Sequence, residues 1–198
     1  MRIAGFEVGY SVRAADGFAA GGDAVVARNG DGGRLVLAVI DVLGHGPQAH
    51  AVAVKAEAAL AGSENSDVTA LLALLDEALA GPIGAAAAIV VLEPDSGMGQ
   101  FVGVGNTVAR ALGRSERRLV SVDGIVGQSH RSPSRLDFTL GVGDILLLHT
   151  DGISSHFDRS QYPQLPTEDV EVGAREMIRR FGRTYDDAAC LIVRRPPP

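Results

Sequence analysis

Between residues 85 and 149 the chain passes from one short apolar run to the next, with glycine or charged turns between them and no helical stretch. The runs 85–93, 99–105, 107–112, 118–122, 136–140 and 144–149 read as strands. A parallel sheet needs a crossover, usually a helix, between neighbouring strands. This segment offers none, so a parallel α/β fold is excluded. Helical patterns lie in two separate places, before and after this segment. The expectation is therefore α+β, with antiparallel sheets inside and helices outside.

The flanks fill in the order. Residues 3–12 and 24–28 read as strands, and Asp31-Gly32-Gly33 as a turn. Residues 34–42 (RLVLAVIDV) form an apolar strand buried on both faces, broken by Gly44-His45-Gly46-Pro47. A helix is expected over 48–60. A second helix over 66–80 carries Val68, Leu71, Leu72, Leu75 and Leu79 on one stripe. Ser66 or Asp67 can cap it, and Gly81-Pro82 ends it. After a loop over 152–167 with Pro163 and Pro166, a helix over 168–181 precedes a last strand, 188–194. The 198 residues suit one domain, expected over 1–195, with Pro196-Pro197-Pro198 as a frayed tail. Neither a repeat nor a linker interrupts it.

Composition excludes some functions. A net charge of −6 argues against a nucleic-acid partner, because phosphate backbones require clustered Lys and Arg. The lone cysteine, Cys190, sits in an apolar run and reads as a small buried hydrophobe. It cannot form an internal disulfide, so no oxidising compartment is required. The start of the chain lacks a signal-peptide pattern, and no apolar run approaches the roughly 20 residues that span a bilayer. A cytoplasmic protein without a membrane partner is expected.

Five aspartates occupy an unusual context. Asp23 follows Gly21-Gly22, Asp41 ends a buried strand, Asp151 precedes Gly152, and Asp186 and Asp187 precede the last strand. Taken singly, an Asp-Gly pair is a turn, and Asp16-Gly17, Asp31-Gly32 and Asp123-Gly124 are read so. Carboxylates at the ends of apolar strands are costly unless solvated, paired or metal-bound. No matching Lys or Arg set stands beside these. A divalent cation would relieve their mutual repulsion, and oxygen ligands suit magnesium or manganese rather than zinc. His149 reads as packed, His50, His130 and His156 carry no signal, and Gly103-Val104-Gly105-Asn106 lacks the following helix and Lys of a nucleotide loop.

The pieces G-G-D (21–23), D-V-L-G-H-G (41–46), V-G-N-T (104–107), H-T-D-G-I (149–153) and D-D-A-A (186–189) stand in an order that resembles the PPM metal-dependent phosphatases, in the SpoIIE-like branch of RsbU and RsbX. The resemblance runs from about residue 4 to 194. It implies a four-layer α/β/β/α sandwich with two Mn²⁺ or Mg²⁺ ions at one end of the sheets. By that resemblance Asp41 bridges both ions, Val42 supplies a backbone carbonyl, and Asp23, Asp151 and Asp186 complete the ligands. Asp187 and Gly152 are supporting residues.

Two such ions, about 3.5–4 Å apart, would bridge a water for in-line attack on phosphorus. His45 is a candidate general acid; it could equally orient a water or cap the following helix. Two departures stand out: Ala189 takes the place of a frequent Thr or Ser, and the 152–167 segment is short. The implied activity is a serine/threonine phosphatase on a phosphorylated protein, by analogy a STAS-type anti-anti-sigma factor or stressosome component. A catalytically silent partner-binding module and a small-phosphoester hydrolase are the alternatives.

Overall fold

The strand-rich chain forms two antiparallel sheets in a computed structural model that describes residues 1–154, 156, 157 and 159–197. Pro198 of the expected tail lies outside the described residues, as do Ser155 and Asp158 of the 152–167 loop. In chain order the elements are β1 (Arg2–Ile3), β2 (Phe6–Arg13), β3 (Asp23–Asn29), β4 (Leu35–Val42), α1 (Gly46–Ala61), α2 (Val68–Leu79), β5 (Ala85–Leu92), β6 (Met98–Val104), β7 (Val108–Leu112), β8 (Glu116–Leu119), β9 (Gly124–Ile125), β10 (Ser129–His130), β11 (Leu136–Thr139), β12 (Ile145–His149), α3 (Val170–Phe181) and β13 (Ala188–Arg194). One sheet has the order β1-β2-β13-β12-β7-β8 and the other β11-β6-β5-β4-β3; β9 and β10 form a small ribbon.

Strand alternation builds the layers, because successive side chains point to opposite faces. Leu35, Leu37 and Val39 of β4 meet Leu146, Leu148, Leu191 and Val193 between the sheets. Their neighbours Val36, Ala38 and Ile40 face Ala53, Leu71 and Leu75 of α1 and α2. On the far side Leu147 and Ile192 pack against Ala174, Met177 and Ile178 of α3. The result is the α/β/β/α sandwich, with apolar strands buried on both faces as the 34–42 run required. No helix among the described residues is long and apolar enough to cross a membrane.

Three expectations change. The strand expected over 3–12 is broken, because Ala4 (φ 49°) and Gly5 (φ 81°) form a two-residue hairpin turn that pairs Ile3 with Phe6. The strand expected over 118–122 stops at Leu119. Beyond it the chain crosses to the other sheet, where the Val122 N–H donates to the Gly103 carbonyl at 3.0 Å. The second helix starts at Val68, and Asp67 rather than Ser66 caps it, accepting from the Ala70 N–H at 2.8 Å.

Register positions the site. Asp23 lies directly opposite Asp41 in the β3–β4 ladder. His149 pairs with Cys190 in β12–β13. Asp151, two residues beyond β12, is thereby brought beside Asp186 and Asp187, which immediately precede β13.

Candidate metal centre

The expected aspartates meet where the ends of the two sheets come together. Asp23 is buried and accepts a hydrogen bond from the Thr150 hydroxyl at 2.6 Å. The same hydroxyl accepts from the Ala189 N–H at 2.9 Å. One side chain thus joins β3 of one sheet to β13 of the other. Asp41 and Asp151 lie within carboxyl–carboxyl hydrogen-bond reach. Asp41 Oδ2 is buried without a hydrogen-bond partner. Asp151 accepts from the Asn106 side-chain amide at 2.6 Å, and its carbonyl accepts from Arg183 at 3.0 Å. Val42 is buried, and its N–H donates to the Gly22 carbonyl at 3.1 Å.

Asp187 has a different task. Its two carboxylate oxygens accept from the Ala15 N–H at 2.7 Å and the Gly22 N–H at 2.6 Å. With both oxygens engaged by backbone, it holds the loop that delivers Asp23. A Cβ on Gly21 would come within 2.4 Å of that carboxylate. A Cβ on Gly152 would fall 1.7 Å from the Asp187 carbonyl. Glycine at both places is a condition for this close approach.

The electrostatics are those of a cluster short of positive charge. Burial, followed by the Asp151 and Asp186 carboxylates, pushes Asp41 up to about 7. Burial and the charge of Asp41 raise Asp23 well above the usual carboxylate range, with the Thr150 hydrogen bond pulling the other way. Burial and Asp151 raise Asp186. Each carboxylate makes ionisation of its neighbours harder.

Among the described residues no three His, Cys, Asp or Glu side chains enclose one ion by themselves. Hard-cation sites also draw on backbone carbonyls and water, so a few carboxylate oxygens per ion suffice. An all-oxygen donor set, an orphaned buried oxygen on Asp41 and mutually raised carboxylates fit divalent magnesium or manganese.

The histidines divide. His45 is exposed at the N-terminal cap position of α1, makes no capping hydrogen bond with its side chain, and lies against Phe18 with ring centroids 4.6 Å apart. His149 is fully buried, and burial lowers its pKa to about 4. Cys190 is fully buried, and burial pushes its thiol up.

Sequence reasoning missed several supports. Thr150 and Asn106 stood inside the quoted H-T-D-G and V-G-N-T pieces, yet their partners come from distant strands. Arg13 donates to the carbonyls of Arg183 and Asp186, tying the loop before β13 to the end of β2; no local signal announces it. The Thr150 hydroxyl also sits on the backbone of Ala189, the position where the expected hydroxyl is missing.

Comparison with known proteins agrees with this geometry. Residues 31–196 match the family described as Stage II sporulation protein E (SpoIIE). A chain solved in work on the bacterial stressosome, a modular system adapted to control secondary messenger signaling, is 30% identical. The match covers 96% of this chain and 99% of that one, with a TM-score of 0.87. The RsbU and RsbW domains of Rv1364c from Mycobacterium tuberculosis are 25% identical, with a TM-score of 0.76 over 99% of this chain and 62% of that chain. RsbX in complex with magnesium shares the fold at 18% identity, with a TM-score of 0.81 over 95% of this chain and 94% of that one. No curated protein matches at comparable significance. The family match over most of the chain, together with the sandwich that carries it, places this protein in the SpoIIE-like branch of the PPM phosphatases.

Proposed function

We propose that this chain, as a single domain over 1–195, is a metal-dependent protein phosphatase. It would hydrolyse phosphoserine or phosphothreonine on a cytoplasmic signalling protein, a STAS-type regulator or stressosome component. The observation that carries the reading is the meeting of Asp23, Asp41, Asp151 and Asp186 at the ends of both sheets, with Asp41 Oδ2 buried and unpartnered. In this reading these four carboxylates and the Val42 carbonyl hold two Mn²⁺ or Mg²⁺ ions. The ions, when bound, supply an activated water and neutralise charge on the phosphoryl oxygens.

The protein's own residues do the rest. Thr150 orients Asp23, Asn106 orients Asp151, and Asp187 and Gly152 keep the two sheet ends closed on each other. In this reading His45, exposed in the loop after Asp41, would protonate the departing serine or threonine oxygen. The membership of the family and the magnesium complex of RsbX support the metal assignment by analogy.

The test is phosphate release from a phosphoserine peptide and from an aryl phosphate, with Mn²⁺ and then with EDTA. Release should stop on chelation. Asp41→Asn should lose at least about a hundredfold in rate with an unchanged circular-dichroism spectrum, because in this reading Asp41 would help to hold both ions. Undiminished release in EDTA, or a near-normal rate for Asp41→Asn, would overturn the reading. Release from the aryl phosphate alone would favour a small-phosphoester hydrolase.

A further inference from the structure

We infer that three loops around the aspartates form an apolar rim that grips the protein segment beside the phosphorylated residue, so that apolar flanks mark the preferred substrates. This rests on the phosphatase reading above and names a substrate class for the same site.

The loops are residues 15–18, 43–46 and 183–186. They are locked together: the Asp16 N–H donates to the Thr184 carbonyl at 2.8 Å, and Phe18 lies against His45. Each abuts a candidate ligand or its support. Ala15 holds Asp187, Leu43 follows Val42, and Tyr185 precedes Asp186. Each also exposes one large hydrophobic side chain: Phe18 at 40%, Leu43 at 45% and Tyr185 at 75%.

Scattered exposed hydrophobics are ordinary on a protein surface, but a set gathered around one site marks an interaction surface. The occupant follows from the chemistry. A phosphoryl group seated at the aspartates brings the residues on either side of it onto these loops. A small phosphoester has nothing that reaches them. Acidic flanks gain little, because the one arginine of the three loops, Arg183, already donates to the Asp151 carbonyl at 3.0 Å, and the loops carry the carboxylates of Asp16 and Asp186.

The experiment uses the full chain with Mn²⁺ and three substrates. Two are phosphothreonine peptides of equal length and charge, one flanked by Leu, Val and Phe and the other by Ser and Gly; the third is p-nitrophenyl phosphate. The wild type should favour the apolar peptide by about tenfold or more in kcat/KM. In the double variant Leu43→Ser, Tyr185→Ser this preference should fall to within about twofold, on the same scale of pocket discrimination, while the aryl phosphate rate is unchanged. No preference in the wild type, survival of the preference in the variant, or an equal loss on all three substrates would overturn the rim. Failure to release phosphate from any substrate would sink the phosphatase reading instead. Fluorescence anisotropy of the two labelled peptides in EDTA would then still decide the rim by whether the apolar one binds more tightly.

Discussion

Thr150 is the residue on which the two halves of the candidate centre depend. Its hydroxyl donates to Asp23 Oδ2 and accepts from the Ala189 N–H, all inside the protein. Replacing it with valine keeps the shape and removes both bonds, leaving a buried carboxylate and a buried N–H unsatisfied. Thr150→Val should cost about 1–3 kcal/mol in urea unfolding, and Thr150→Ser should recover most of it. The same variant should weaken Mn²⁺ binding in calorimetry, because Asp23 loses its orientation. Unchanged binding in a folded Thr150→Val protein would show that Asp23 needs no such support. The position was visible as part of H-T-D-G-I; its role was not, because neither Asp23 nor Ala189 is near it in sequence.

At the scale of elements, local chemistry sets where helices begin. Asp169 accepts from the Glu171 and Val172 N–H groups at 3.0 and 3.1 Å, closing the start of α3. Asp169→Ala should lower stability by about 1 kcal/mol, as loss of a capping side chain usually does; a shift near zero in the denaturation midpoint would contradict this. The β9–β10 ribbon is held differently. Asp76 of α2 accepts from the Gly127 N–H at 2.8 Å and pairs with His130 Nε2 at 2.7 Å. Burial pulls the His130 pKa down, but its bonds to the Arg131 carbonyl and the Asp76 carboxylate outweigh this, and the pKa stands above the usual value. A histidine with a raised folded pKa contributes most below its unfolded pKa of about 6.5 and loses that contribution as pH rises through the folded value. The melting-temperature difference between wild type and His130→Gln should therefore be largest near pH 5.5 and shrink toward pH 8. A difference that is flat or grows with pH would rule out the charged pair. This ribbon was absent from the sequence reading, because two-residue strands are too short to show alternation.

For the whole molecule, the centre is a strain on the fold as well as its candidate function. The carboxylates at the sheet ends raise one another's pKa, so the metal-free protein carries uncompensated repulsion. A ligand that binds only the folded chain stabilises it by about 2.7 kcal/mol at a hundredfold excess over Kd. Mn²⁺ should accordingly raise Tm in a concentration-dependent way, and EDTA should reverse it. A Tm indifferent to both Mn²⁺ and EDTA would mean that the aspartates do not hold this metal. The layered architecture behind this centre was legible in advance. The helix-free stretch from 85 to 149 demanded antiparallel sheets, and the stripe Val68, Leu71, Leu72, Leu75 and Leu79 demanded a helix lying on one of them. Periodicity and turn chemistry act over a few residues, so a sequence displays them openly. Asp23, Asp41, Asp151 and Asp186 could be named from the order of short pieces, but the partners of the site's carboxylates could not. The bond from Thr150 to Asp23 spans 127 positions, and the bond from Ala15 to Asp187 spans 172. Strand register alone decides which side chains meet across such distances, and register is a property of the assembled sheets.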